Sequence, residues 1–263
     1  MKSYSANRND QEWSGKRVLV TGGAGFLGSH LTSQLTELGV SDLIVPRSSQ
    51  HDLRQAMIVD QLLAEERPDV VFHLAAKVGG IGANQKFPAD FFYENMQMGS
   101  HIIHSSSRYK ISKLVLVGTV CSYPKFAPVP FREDSIWDGF PEETNAAYGV
   151  AKRALITQSM AYREQYGLNS INIIPVNLYG PGDNFDPGNS HVIPALVDRM
   201  VRAKDQNSPT VTIWGDGTAT REFLYIDDAA RGLILAAERY NSSSPVNLGS
   251  GQEISIRDLA LGI

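Results

Sequence analysis

The stretch Val20-Thr21-Gly22-Gly23-Ala24-Gly25-Phe26-Leu27-Gly28 decides the fold. Residues 17–21 before it form a short β-branched run, and residues 26–38 after it carry apolar side chains at helical spacing until Gly39. Strand, glycine turn and helix follow in that order. Gly22 permits the tight turn, Gly25 lets backbone approach a pyrophosphate, and Gly28 lets the helix pack close to the sheet. The helix start offers free N–H groups and the positive end of a dipole to phosphates. A glycine triplet also occurs in ordinary strand-to-helix turns, but a strand before it and a helix after it favour a dinucleotide site.

Outward from that loop the same alternation continues. Strands are expected at 43–45, 70–74, 114–117 and 170–176, with helices at 53–67, 89–109 and 147–166 between them. This is the pattern of a Rossmann-type α/β fold, a doubly wound parallel sheet with right-handed crossovers. Residues 123–144 hold four prolines without a clear period, and 177–190 are dense in Gly, Pro, Asn and Asp. Both read as long loops over the carboxyl ends of the strands, where such folds carry function. Further on, a helix is expected at 192–203, strands at 211–214 and 223–226, a helix at 228–240, and a new amphipathic helix from Ser255. The expected division is a flexible lead at 1–13, a dinucleotide-binding domain at 14–176, and a smaller substrate lobe at 177–263, some of whose elements return to the main sheet.

Composition sets outer bounds. The 263 residues carry a net charge of −4, with 42% hydrophobic and 20% charged side chains, an ordinary globular mixture. No general positive excess exists to hold nucleic acid. The single cysteine excludes an intrachain disulfide and a multi-cysteine metal cluster, and no histidine stands at metal-ligand spacing from it. Residues 1–14 are polar and do not read as a secretory signal, and the apolar runs are far shorter than the roughly 20 residues that span a bilayer. A cytoplasmic protein without metal or membrane partner is expected.

The end of the second strand chooses the cofactor. An acidic residue there would hold a ribose 2′-OH, but Val45-Pro46-Arg47-Ser48 has none. Arg47 suits a 2′-phosphate, so NADP is expected, with Asp52 and Leu53 flanking the adenine; an arginine that is merely exposed is the competing reading. Tyr148 and Lys152 stand four residues apart on one helix face. A lysine cation beside a tyrosine favours the phenolate and makes it a proton carrier near neutrality. Taken alone, such a pair is usually a solvated face. Thr119, just past a buried strand, offers a hydroxyl to the same carbonyl.

These residues, in this order, resemble the extended short-chain dehydrogenase/reductase family. More specific stretches are Leu74-Ala75-Ala76-Lys77-Val78-Gly79-Gly80-Ile81, Asn177-Leu178-Tyr179-Gly180-Pro181, Asn189-Ser190-His191-Val192-Ile193-Pro194 and Arg221-Glu222-Phe223-Leu224. They are similar to the members that act on GDP-linked 4-keto-6-deoxy sugars as NADP-dependent 3,5-epimerases and 4-reductases. The resemblance implies a reductase triad of Thr119, Tyr148 and Lys152, with Cys121 as epimerisation base and His191 as its acid partner. It departs in having Thr at 119 where Ser is common, which keeps the hydroxyl but restricts its rotamer. It further implies cofactor contacts from Gly22, Gly25, Phe26, Leu27, Gly28, Leu74, Ala75, Ala76, Pro175, Asn177, Leu178 and His191. The GDP-sugar would meet Lys77, Asn177, Val192, Arg199, Trp214 and Arg221.

The residue types suit that chemistry independently. A ketone at C4 acidifies the protons on C3 and C5; a thiolate can remove one and an imidazolium can return one to the opposite face. The bland alternatives are a buried structural thiol for Cys121, a loop-end hydrogen bonder for His191, and a strand-end core residue for Trp214. Asp227 and Asp228 read as a helix cap and first-turn carboxylate. Among enzymes, a related epimerase or 4-reductase for another 4-keto sugar is the nearest competitor. A 4-epimerase would be expected to retain NAD, and a 4,6-dehydratase to carry acids where Val120 and Cys121 stand. An inactive scaffold or redox sensor would have no need of the five catalytic types together. A homodimer is expected through the helices at 89–109 and 147–166, with Met96, Met98, Ile102 and Ile103 contributing apolar surface. Proteins resembling this one continue beyond residue 263, so the substrate lobe is expected to be incomplete.

Overall fold

A computed structural model describes residues 10–186 and 190–263. In chain order the first half contains α1 (Asp10–Trp13), β1 (Arg17–Thr21), α2 (Phe26–Glu37), β2 (Asp42–Ile44), α3 (Ala56–Glu66), β3 (Val70–His73), α4 (Ile81–Lys86), α5 (Pro88–Arg108) and β4 (Lys113–Val117). After a long loop come α6 (Ala146–Tyr166), β5 (Ser170–Pro175), β6 (Asn177–Tyr179), α7 (Val192–Asp205), β7 (Thr220–Tyr225), α8 (Ile226–Arg239), β8 (Val246–Leu248), β9 (Glu253–Ser255) and α9 (Ile256–Gly262).

Six strands form one sheet in the order β2-β1-β3-β4-β5-β8, every neighbouring pair parallel. Side chains alternate across a strand, so each strand feeds two cores. Val18 and Val20 of β1 pack with Leu31 and Leu35 of α2 and Leu233 of α8. Leu19 between them packs with Leu62 and Leu63 of α3 and Ile102 and Ile103 of α5. The order steps outward from β1 to β2 on one side and to β3 on the other. The carboxyl ends of β1 and β3 therefore open a crevice between them, where doubly wound folds hold ligands. A smaller sheet, β6-β7-β9, stands beside it. β8 and α8 from the second half of the chain belong to the main sheet and its core.

Several expectations need correction. The lead at 1–13 is not wholly a lead. Residues 1–9 lie outside the described residues, but Trp13 is 3% exposed, stacks on Phe72 with ring centroids 6.1 Å apart, and donates its Nε1–H to Glu238 (2.6 Å). A large indole beside an open end of the core is worth burying even at the close of a polar run. Residues 177–179 form β6 rather than loop, because Asn177 Nδ2 and the β7 backbone give them partners. No strand forms at 211–214, where Trp214 is 82% exposed. Ile102 and Ile103 are fully buried and Met96 and Met98 are packed against the core, so the two isoleucines are core rather than an interface surface. No helix among the described residues is long and apolar enough to cross a membrane.

Candidate functional site

The glycine loop is built for close approach. Gly22 has φ +72°, and a Cβ on it would lie 2.7 Å from the Ala75 backbone nitrogen. A Cβ on Gly28 would collide with the Gly22 carbonyl. No side chain caps α2 at Gly25, so its first N–H groups remain available to an anion. Thr21 fixes the crevice floor: its hydroxyl bonds His73 Nδ1 (2.8 Å) and accepts from the Ala75 N–H (3.3 Å), while its carbonyl accepts from Leu74 (3.1 Å). Burial pushes the His73 imidazole down to about 3, helped by the Lys152 charge, so the ring is neutral. In the sequence His73 opens the stretch that continues through Leu74-Ala75-Ala76-Lys77 and is not at metal-ligand spacing; its structural role shows only as a polar residue closing the apolar run Val70-Val71-Phe72.

At the outer end, Arg47 is exposed and its guanidinium has no partner among the described residues. Asp52 is held by Arg54 at 2.8 and 2.9 Å, which keeps its carboxyl well below the usual range. Leu53 is buried and packs in the core beside it. Ala76 follows β3, Pro175 ends β5, and Leu178 lies within β6, all at the carboxyl side of the main sheet. A tight cradle, uncapped helix N–H groups and an unpaired cation together fit a dinucleotide carrying an extra phosphate.

Past β4, the chain turns sharply at residues 120–122. Thr119 caps that turn, its hydroxyl accepting from the Cys121 N–H at 3.2 Å. The same hydroxyl stands close enough to the Cys121 thiol and the Tyr148 phenol to lower the pKa of each. α6 brings Tyr148 to this point, and Phe91 of α5 meets its ring edge to face at 6.2 Å and 90°. One turn on, Lys152 donates its Nζ to the Val117 carbonyl (2.9 Å) and lies 5.9 Å from the Tyr148 ring centroid.

The electrostatics correct one expectation. Burial raises the Tyr148 phenol well above its ordinary value, Cys121 adds to this, and the nearby Thr119 hydroxyl opposes it. Lys152 does not lower it; burial pulls that ammonium itself down to about 8. A low-dielectric pocket penalises either charge, and the lysine spends its proton on a carbonyl. Cys121 is half-buried, and burial raises its thiol too, against the Thr119 hydroxyl; Glu142 raises it further and Arg221 lowers it. At rest both groups hold their protons.

The remaining expected residues lie around this cluster rather than in it. His191 is exposed at the start of α7, with no hydrogen bond or ion pair to Cys121 or Tyr148 among the described residues, and it acts on the Asp183 carboxyl. Asn189 of the expected stretch lies outside the described residues. Val192 opens α7. Arg199 stacks on the Trp214 ring at 4.8 Å, so the tryptophan is an exposed platform and not a core residue. Arg221 donates to the Thr220 carbonyl (2.7 Å). Asn177 Nδ2 donates to the Glu222 carbonyl (2.9 Å), stitching β6 to β7. Lys77 is engaged by Glu94 (2.6 Å) and Asp90 (3.2 Å). Asp227 and Asp228 lie in the first turn of α8, and Asp227 meets His30 Nδ1 at 2.5 Å. No cluster of three or more His, Cys, Asp or Glu side chains gathers to hold a metal among the described residues.

Comparison with known proteins fits this geometry. GDP-L-fucose synthase 1 of Arabidopsis thaliana is 42% identical over 244 residues, covering 93% of this chain and 76% of that protein. GDP-L-fucose synthase of Escherichia coli strain K12 is 42% identical over 256 residues, covering 94% and 80%. A crystal structure of a GDP-L-fucose synthetase from Naegleria fowleri bound to NADP superposes with a TM-score of 0.85 at 31% identity, covering 94% of this chain and 77% of that one. The profile of the Epimerase family, the NAD dependent epimerase/dehydratase family, matches residues 18–249. The chain belongs to the NAD dependent epimerase/dehydratase family.

Proposed function

We propose that the chain converts GDP-4-keto-6-deoxy-D-mannose to GDP-L-fucose as an NADPH-dependent 3,5-epimerase and 4-reductase, working as a homodimer through the outer faces of α5 and α6. The observation that carries this is the gathering of Thr119, Cys121 and Tyr148 at the end of β4, where Thr119 caps the thiol-bearing turn and its hydroxyl acts on both the thiol and the phenol. A single bound ketone can then meet a base for its α-carbons and a donor for its oxygen. The similarity to GDP-L-fucose synthases supports the nucleotide and the sugar, and the NADP-bound relative together with the unpaired Arg47 supports NADP over NAD.

The chain's own residues divide the work. Cys121, once ionised, takes the proton from C3 or C5, and His191 as imidazolium returns one to the opposite face. Each inversion moves one proton from the sugar carbon to sulfur and one from the imidazolium to the opposite face of that carbon. The cofactor, when bound, supplies a hydride to C4. Tyr148 gives its proton to the C4 oxygen, with Thr119 holding that oxygen in line. A phenol raised by burial stays protonated at neutral pH, which is the state a donor needs. Lys152 reprotonates or steadies the phenolate left behind. Arg199, Trp214 and Arg221 receive the nucleotide diphosphate, since guanidinium forks suit its oxygens.

Two substitutions separate the halves. Cys121→Ser is expected to abolish solvent deuterium entry at C3 and C5 while NADPH binding stays intact. Tyr148→Phe is expected to lower NADPH oxidation by about 10²–10⁴-fold while deuterium still enters. Loss of both activities in both variants would contradict separate roles. The lack of a hydrogen bond or ion pair between His191 and the thiol cluster among the described residues favours one other reading, a 4-reductase for another GDP-4-keto sugar, which would give reduced product without label.

A further inference from the structure

The thiol-bearing turn is fastened to the tyrosine helix by groups outside the reacting set. Arg153, next to Lys152 on α6, donates Nε to the Ser122 carbonyl (2.6 Å) and Nη1 to the Gly139 carbonyl (2.7 Å). One turn earlier on the same face, Gly149 lies so close to the turn that a Cβ would collide with the Cys121 carbonyl oxygen. The fully buried Ser122 hydroxyl donates to the Gly149 carbonyl at 3.3 Å. From the other side, Thr119 holds the turn through its hydroxyl and through its carbonyl, which accepts from the Ser122 N–H at 3.0 Å. The Cys121–Ser122 peptide is therefore gripped between β4 and α6.

We infer that Arg153 is a positioning residue for Cys121. It sets the thiol against Tyr148 by pulling the Ser122 carbonyl onto α6, and it pins the far end of the loop at Gly139 with the same fork. The planar guanidinium is suited to this because it reaches two carbonyls in fixed directions, which an ammonium cannot do. Without it, the carbonyl of the buried Ser122 and that of the exposed Gly139 lose a charged donor and the turn is free to shift. A displacement on the order of 1 Å at a reacting atom can cost about 100-fold in rate. Thr119 stays anchored to the end of β4, so the loss falls on the thiol more than on the phenol. Only the rate consequence rests on the proposed epimerase reading; the placement of the thiol does not.

The experiment compares wild type, Arg153→Met and Arg153→Lys in two assays. In the first, turnover in D2O with GDP-4-keto-6-deoxymannose and NADPH reads deuterium at C3 and C5 against NADPH oxidised. Arg153→Met is expected to lower label per reduction about tenfold or more, and Arg153→Lys, which reaches one carbonyl, to recover part of it. In the second, the rate at which iodoacetamide alkylates Cys121 in the folded enzyme is expected to rise several-fold in Arg153→Met and less in Arg153→Lys. Equal alkylation rates in all three proteins would overturn the inference. So would an unchanged labelling ratio, or label, reduction and NADPH binding all falling together with the melting temperature. A wild type that turns nothing over would overturn the functional reading, and the alkylation assay would still decide on Arg153.

Discussion

His73 shows how a single buried side chain acts through its protonation state. Its folded pKa of about 3 lies far below the ordinary 6.5, so the unfolded chain binds a proton that the folded one refuses. The stability this gives is complete above about pH 6.5 and is lost as pH falls toward 3, with a slope of about 1.4 kcal/mol per pH unit. Urea midpoints at about pH 7 and about pH 5 should therefore diverge more in wild type than in His73→Asn; equal divergence would contradict the buried neutral ring. Cys121 has the opposite consequence for rate. Its thiol is raised by burial, so the thiolate fraction grows with pH, and deuterium entry at C3 and C5 should climb about tenfold per unit through neutrality. A flat profile would mean that another base takes the proton. At this scale the sequence was legible where spacing does the work: Tyr148 and Lys152 share a face because they are four apart, and Thr119 with Cys121 follow a strand end. The charge states were not legible. They follow from burial on all sides, which is why the phenol is raised where the lysine alone would lower it.

Among the elements, α2 and the loop before it carry the clearest consequence. A Cβ on Gly28 would meet the Gly22 carbonyl, so Gly28→Ala must push the helix start away from the phosphate cradle. NADPH affinity measured by fluorescence titration should fall about tenfold or more, and the melting temperature should fall with it because the clash is with backbone; unchanged affinity in the folded variant would mean that the dinucleotide binds elsewhere. The core elements could be read because apolar period and glycine or proline stops agree, as in α2 ending before Gly39 and α3 ending before Pro68. The peripheral ones could not. β6 is three residues long inside a Gly- and Pro-rich stretch, and only its pairing with β7 makes it a strand. Residues 211–214 are apolar enough for a strand, but no neighbouring edge receives them, and Trp214 instead stacks on Arg199. Trp13 was hidden in the same way, since its partners Phe72 and Glu238 are remote in sequence.

For the whole molecule, the parallel sheet holds a cradle at the ends of β1 and β3 and a thiol–phenol cluster at the end of β4, so cofactor and reacting groups face one crevice. Sedimentation should give twice the 28.8 kDa chain mass; a single-chain mass would contradict the proposed pairing through α5 and α6 without touching the chemistry. Cofactor choice also belongs here, because Arg47 is exposed and has no side-chain partner among the described residues. Arg47→Ala should cut the preference for NADPH over NADH by about tenfold, as read from the two kcat/KM values, if its guanidinium holds a 2′-phosphate. The central claim is that one pocket both inverts and reduces the same ketone. Its most direct test is mass and proton spectroscopy of the sugar made from GDP-4-keto-6-deoxy-D-mannose and NADPH in D2O. The account predicts GDP-L-fucose with deuterium at C3 and C5 and one NADPH consumed per sugar; NADPH bound tightly with no product, or a reduced sugar free of deuterium at both carbons, would contradict it.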